Sequence, residues 1–272
     1  MADDYDLPKG ALMAGKRGLV MGVANHNSIA WGIAAQLAAQ GADVGLAYME
    51  ANEKRVRPLG DSIGAKVYAT FDASSDASME AAFKVFEDAW GTMDFLVHAI
   101  AYADRGQIKG SFVENADRAA FAQALDISAY SFVDAARRAA RMMPRGGAMI
   151  TLTYLGSERA IPNYNTMGVA KAALEAATRY IARDLGPQGI RVNAISAGAM
   201  RTLSLAGISG GRGMLAQGRA LSALKEDTSM EGVAGAALWL LSDLGRSTTG
   251  EIVHVDAGFH MMGMPDPEEG EG

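Results

Sequence analysis

Apolar residues along this chain fall into short unbroken runs separated by longer amphipathic stretches. Leu19-Val20-Met21 is a run of buried-strand type that ends at Gly22. From Ser28 the apolar positions recur at helical spacing, through Ile29, Ile33, Leu37 and Ala38, until Gly41 stops them. Residues 42–48 read as a second strand, and 50–63 as a charged helix bent or interrupted near Pro58 and Gly60. A strand at 65–71, a helix at 75–90 and a strand at 93–100 follow. The second half opens with a long helix over 117–143, a strand at 148–154 and another long helix over 163–185. A strand at 189–196 comes next. Residues 198–213 are irregular and glycine-rich, with helical segments at 213–223 and 230–242 before a last strand at 251–255.

This alternation predicts an α/β fold of the doubly wound, Rossmann type. Seven parallel strands form one sheet with helices on both faces, because right-handed crossovers place successive helices that way. No repeat or linker divides the chain. Residues 1–14 are expected to be an N-terminal arm and 15–260 the domain, with a substrate lid at about 198–223. The acidic stretch 261–272 is expected to be a flexible tail.

Composition narrows the function classes. The chain has 272 residues and a net charge of −6, which argues against a basic nucleic-acid-binding face. It has no cysteine, hence no thiolate chemistry and no disulfide framework. The start, MADDYDLPKG, lacks a secretory pattern, and no apolar run is long enough to span a membrane, so a cytoplasmic location is expected. His26, His98, His254 and His260 are scattered without metal-ligand spacing, and each reads as structural.

The candidate chemistry lies between Tyr154 and Lys171. Tyr164 and Lys171 are seven positions apart, nearly two helical turns, so both project from one face. A phenol can supply a proton to an oxygen that becomes negative, and a fixed ammonium nearby would lower its pKa. In a doubly wound sheet the ligand lies beyond the carboxyl ends of the strands, near Gly22, Tyr48, Asp72 and Ile100. The first turn, GVANHNSIAWG, lacks the GxGxxG fingerprint, but Gly22 permits a tight exit from the strand. Ser28 can cap the helix, small Ala30 and Gly32 let helix and sheet approach, and the helix N-terminus would face a pyrophosphate. After the second strand, Tyr48-Met49-Glu50 offers no immediate arginine for a 2′-phosphate, which favours NADH over NADPH. Asp72 is placed either to accept the adenine amino group or to cap a turn.

Six segments carry a family resemblance: GVANHNSIAWGIA, VHAIAYA, DISAYSF, YLGSERAIPNYNTMGVAKAALE, GIRVNAISAGAMRTL and GEIVHVDAGF. Together they resemble the bacterial enoyl-acyl carrier protein reductases, a divergent branch of the short-chain dehydrogenase/reductases. The resemblance implies reduction of trans-2-enoyl thioesters in fatty-acid elongation, with NADH or NADPH as cofactor. Short-chain dehydrogenases usually carry a tyrosine four positions before the lysine and a serine thirteen before that tyrosine. Here those positions hold Met167 and Tyr154, and the acid has moved back to Tyr164. A phenol displaced from the hydride-accepting carbon suits an enolate oxygen two carbons away.

The resemblance then assigns Tyr164 to the thioester oxygen and Lys171 to the nicotinamide ribose. Tyr154 either assists orientation or protonation or forms an aromatic wall. Expected cofactor contacts are Gly22, Ser28, Ile29, Met49, Asp72, Ala73, Ile100, Lys171 and the segment Met200, Arg201, Thr202, Leu203 and Ser204. Expected substrate contacts are Ala101, Ala103, Tyr154, Tyr164, Met167 and Met214. Four departures from the family pattern stand out. Met49 replaces a frequent glutamine, Ala101 a glycine and Ala199 a proline, and the loop GISGGRGM is unusually rich in glycine. Arg201, Arg212 and Arg219 are either docking residues for an acyl carrier protein or ordinary solvated charge. The helices at 117–143 and 163–185, with Ala172, Ala173, Ala176 and Ala177 on the second, imply a homotetramer. A carbonyl or alcohol dehydrogenase of the same superfamily is the enzymatic alternative, and a nucleotide-binding sensor the non-enzymatic one.

Overall fold

In the computed structural model the described residues are 7–202, 205 and 211–264. Leu203, Ser204, half of the glycine-rich loop (207–210) and the tail from 265 onward therefore lie outside them. Seven parallel strands form one sheet in the order β3-β2-β1-β4-β5-β6-β7. They are β1 (Arg17–Met21), β2 (Asp43–Tyr48), β3 (Tyr68–Thr70), β4 (Phe95–His98), β5 (Gly147–Thr153), β6 (Ile190–Ala197) and β7 (Ile252–Val255). Each strand is a near-continuous apolar run because both sheet faces are covered. Val20, Val97, Ile150 and Ile195 point to one layer, where α1 (Ile29–Ala39) and a late helix (Met230–Leu241) pack. Leu19, Met21, Leu96 and Met149 point to the other. There they meet α3 (Asp76–Trp90) and the two long central helices, and α2 (Glu53–Ser62) lies beside the first layer.

The chain reverses its winding between β1 and β4, which are neighbours in register from Gly18↔Phe95 to Met21↔His98. The crevice at this switch point opens above Gly22 and Ala99. Gly22 has φ +100°, and a Cβ there would sit 2.2 Å from the Ala99 carbonyl oxygen. Only glycine fits that crossing.

Several expectations need correction. The helix at 117–143 is a composite: α5 (Arg118–Leu125), a π segment (Asp126–Tyr130) and α6 (Ser131–Arg141), preceded by the short α4 (Phe112–Asn115). Ser128, within the π segment, donates to Tyr102 O and accepts from Tyr102 N, both at 2.9 Å. The wider turn thus ties the loop after β4 to the helix. Helix α2 continues through Pro58 to Ser62 rather than breaking there. Strand β3 is only three residues long. Helix α1 is buried over most of its surface, because the late helix packs alongside it on the same face of the sheet. Gly32 serves that contact, since a Cβ would lie 2.2 Å from Met230 Sδ.

His98 is fully buried at the end of β4, with Nδ1 3.0 Å from Thr151 Oγ1 and Nε2 2.8 Å from Ser131 Oγ. Both hydroxyls also donate to backbone carbonyls, Ser131 to Ile127 O at 2.6 Å and Thr151 to His98 O at 3.1 Å. Burial first, then the Lys171 charge, pushes this histidine down to about 3, which keeps it neutral. The other histidines are less scattered than the sequence suggests. His254 and His260 stack with centroids 4.1 Å apart, and they contact Glu158 and Asp256 respectively.

Candidate active site

Helix α7 (Asn165–Leu185) delivers Tyr164 and Lys171 to the crevice, and the end of β5 delivers Tyr154. Tyr164 is the N-cap residue of α7 and is nearly buried. Its two neighbours have left-handed backbones, Asn163 at φ 64° and Asn165 at φ 41°. Asparagine tolerates that region better than most residues. Both side chains grip one backbone unit: Gly110 N–H donates to Asn163 Oδ1 at 2.9 Å, and Asn165 Nδ2 donates to Gly110 O at 3.1 Å. The phenol is thus held between two fixed points.

The rings of Tyr154 and Tyr164 meet edge to face, 4.9 Å apart at 70°. Lys171 is buried, and its Nζ donates to Leu152 O at 2.6 Å. Burial lowers Lys171 to about 8, against the opposing pull of the Glu175 carboxylate. Tyr164 behaves opposite to expectation. Burial first, then Tyr154 and Glu175, raise its pKa, and Lys171 is not among the causes. Tyr154 is raised as well, by burial and by Asp256. Both phenols therefore remain protonated at neutral pH and can donate hydrogen bonds.

The crevice is open to solvent and has a volume of about 210 Å³. From the first turn its wall takes Gly22, Ser28 and Ile29, and from the loop after β4 it takes Ile100 and Ala101. Tyr154, Tyr164 and Lys171 face them, and Met200, Thr202 and Met214 close the side beyond β6. Thr202 Oγ1 accepts from Leu205 N at 3.2 Å. Ser28 does not cap α1 with its side chain as expected. Its hydroxyl turns back to accept from Ala24 N at 3.0 Å and Asn25 N at 3.1 Å. The serine rigidifies the turn and leaves the first N–H groups of α1 open for a ligand.

Other expected contacts stand outside this wall. Met167 and Ala103 pack with Ile108 and Ala170 behind Tyr164. Met49 and Asp72 are exposed after β2 and β3, with Ala73 half-buried beside them. Asp72 accepts from Ser74 N and Ser74 Oγ at 2.9 and 2.7 Å, and these two bonds lower its pKa. Arg201 is exposed beside the crevice, and Leu203 and Ser204 fall outside the described residues. Sequence reasoning missed Thr153, Leu152 and Glu175. Glu175 was detectable by its position, four residues after Lys171 on the same face of the helix.

A family model described as enoyl-(acyl carrier protein) reductase matches residues 22–260. An enoyl-acyl-carrier-protein reductase (NADH) 2 of Rhizobium meliloti (strain 1021) is 50% identical over 258 residues, 94% of this chain and 96% of that protein. The enoyl-acyl-carrier-protein reductase of Anaplasma phagocytophilum, solved in complex with NAD, superposes with a TM-score of 0.92. It shares 48% identity over 96% of this chain and 100% of that one. The Bacillus cereus enoyl-acyl carrier protein reductase, solved with NADP+ and an indole naphthyridinone, gives a TM-score of 0.91 at 44% identity. That match covers 93% of this chain and 100% of that one. The chain belongs to the enoyl-(acyl carrier protein) reductase family.

Proposed function

We propose that Tyr164 donates a hydrogen bond to the thioester oxygen of a trans-2-enoyl substrate while Lys171 holds the nicotinamide ribose. The chain is an NADH-dependent enoyl-acyl carrier protein reductase, and the reaction is the reductive step of fatty-acid elongation. The residues fit a dinucleotide. Gly22 leaves no room for a side chain at the switch point, and the uncapped start of α1 faces the same crevice as Lys171. NADH supplies the hydride that forms the new C–H bond at the β-carbon. As the double bond breaks, its electron pair moves toward the thioester oxygen, where the protonated Tyr164 stabilises the developing enolate. The α-carbon then takes a proton, with Tyr154 lining the approach and orienting the acyl chain. The observation that carries this reading is the convergence of the buried Tyr164 and the buried Lys171 on one crevice with the start of α1.

Met49, Asp72 and Ala73, just past β2 and β3, would form the adenine end, and the segment from Met200 to Ser204 would bracket the nicotinamide. Ala101, Ala103, Met167 and Met214 would bound the acyl chain. The lid at about 198–223 would close over the substrate. Arg201 is the stronger candidate for docking an acyl carrier protein, since Arg219 is already paired with Asp227. A homotetramer is supported by exposed Tyr130 and Val133 on the central helix and Val169 and Tyr180 on α7. Ala173 and Ala177 are partly buried against the protomer's own core, and Ala172 and Ala176 are half-buried beside them. No described helix is long and apolar enough to cross a membrane, and we place the enzyme in the cytoplasm.

NADH absorbance followed with crotonyl thioesters, then with β-keto thioesters, tests the activity. Oxidation with the enoyl substrates alone is expected. Oxidation with β-keto thioesters alone would return the chain to the carbonyl-reductase class.

A further inference from the structure

Glu175 is a buried carboxylate on α7 that the proposed chemistry leaves unused. It lies four residues after Lys171 and eleven after Tyr164. At about 100° per residue both offsets return to nearly the same direction, so the three side chains share one face. Glu175 Oε1 accepts from Thr153 Oγ1 at 2.6 Å and lies 2.5 Å from Ser157 Oγ. Ser157 divides its proton between this carboxylate and Tyr154 O at 2.9 Å. The end of β5, the turn after Tyr154 and helix α7 therefore converge on one negative charge.

Lys171 has the complementary need. Its recorded partner, Leu152 O, is a neutral carbonyl that satisfies one N–H but none of the charge. An ammonium held away from water without a counter-ion tends to surrender its proton. Among the described residues, Glu175 is the one carboxylate whose charge acts on Lys171. His98 is neutral, Tyr154 and Tyr164 are protonated phenols, and Asp256 acts on Tyr154. Glu175 acts through its field, since its carboxylate bonds the two hydroxyls rather than Nζ.

We infer that Glu175 is a positioning residue that keeps the Lys171 amine in its ammonium form for the nicotinamide ribose, with Thr153 and Ser157 aiming the carboxylate. The inference rests on the ribose role proposed for Lys171. The Lys171 charge then depends on a residue that need not touch cofactor or substrate.

The test follows the amine itself. Protein labelled with carbon-13 at the lysine ε-carbon is titrated by NMR without cofactor, with the Lys171 signal assigned by its loss in Lys171→Met. A midpoint near 8 is expected in the native chain. In Glu175→Gln it should fall by about one pH unit or more. Glu175→Met removes the same charge with an apolar side chain suited to a buried site, and should shift the midpoint in the same direction. An unchanged midpoint in these variants overturns the inference. NADH titration by fluorescence gives a second readout. Affinity in Glu175→Gln should drop about fivefold near pH 8 and recover near pH 6, where the amine is largely protonated in both proteins. A loss of equal size at both pH values means a packing role and also overturns it. If the native chain fails to bind NADH, the ribose reading fails, while the lysine titration still decides the role of Glu175.

Discussion

The two sides of the crevice are built from different materials. The side formed by β1, the first turn and α1 presents backbone: a glycine crossing at Gly22, a turn pinned by Ser28 and the open N–H groups of a helix. The side formed by β5 and α7 presents side chains: two phenols, an ammonium and a buried carboxylate. A cofactor common to many enzymes can be held by backbone geometry, which many sequences can supply. Stabilising one particular oxyanion needs a functional group at a set point. The two sides should therefore fail differently, the first through shape and the second through chemistry.

Tyr164→Phe should show the largest functional loss, with turnover falling by about 10²–10³-fold while NADH affinity stays within about twofold. Steady-state kinetics with a crotonyl thioester alongside NADH fluorescence titration would check it, and a matching loss of NADH affinity would break the distinction. Lys171→Ala should weaken NADH binding about 10–100-fold, and normal binding would remove its ribose role. Gly22→Ala should act through the fold. A Cβ 2.2 Å from a backbone oxygen, on a φ of +100°, should cost about 1–3 kcal/mol in urea unfolding. Ser28→Ala, on the same side, should change NADH affinity by only about two- to fivefold, because the turn has other bonds.

His98 sits at the end of β4 between the two sides and offers a test of their shared support. Its folded pKa of about 3 lies below its unfolded value. Its contribution to stability is therefore present above about pH 6.5 and is lost as pH falls toward the folded value, at up to about 1.4 kcal/mol per pH unit. Urea unfolding repeated across that range should show this slope, and His98→Asn should flatten it. The smallest effect is expected at Ala101, whose side chain lines the crevice. Ala101→Gly should improve the affinity of a flat inhibitor stacked on the nicotinamide by a few-fold. Unchanged affinity would show that its methyl does not crowd that site.

The same contrast decides what could be read from the sequence. Parallel strands announce themselves as apolar runs, so the sheet and its order of helices were legible. Tyr154, Tyr164 and Lys171 were legible because their residue types and spacing carry chemistry. The backbone side was not. Nothing in the letters shows that Ser28 turns its hydroxyl backward, or that Gly32 serves the late helix rather than the sheet. The π segment escaped because the preceding α5 buries only Ala124, which leaves no apolar register against which the shift from an extra residue would show. Tyr164 was expected to be acidified by Lys171, but burial raises its pKa instead, and burial is a property of the fold. Glu175 was overlooked because a glutamate on a helix ordinarily faces water.

The pincer of Asn163 and Asn165 on Gly110 has a mechanical consequence. The two bonds hold the peptide units on either side of the Gly110 Cα, one by its donor and the other by its acceptor. The segment around Gly110, which enters α4 one residue later, is thereby geared to the acid. The backbone on both sides of Tyr164 is thus anchored to a segment more than fifty residues earlier in the chain.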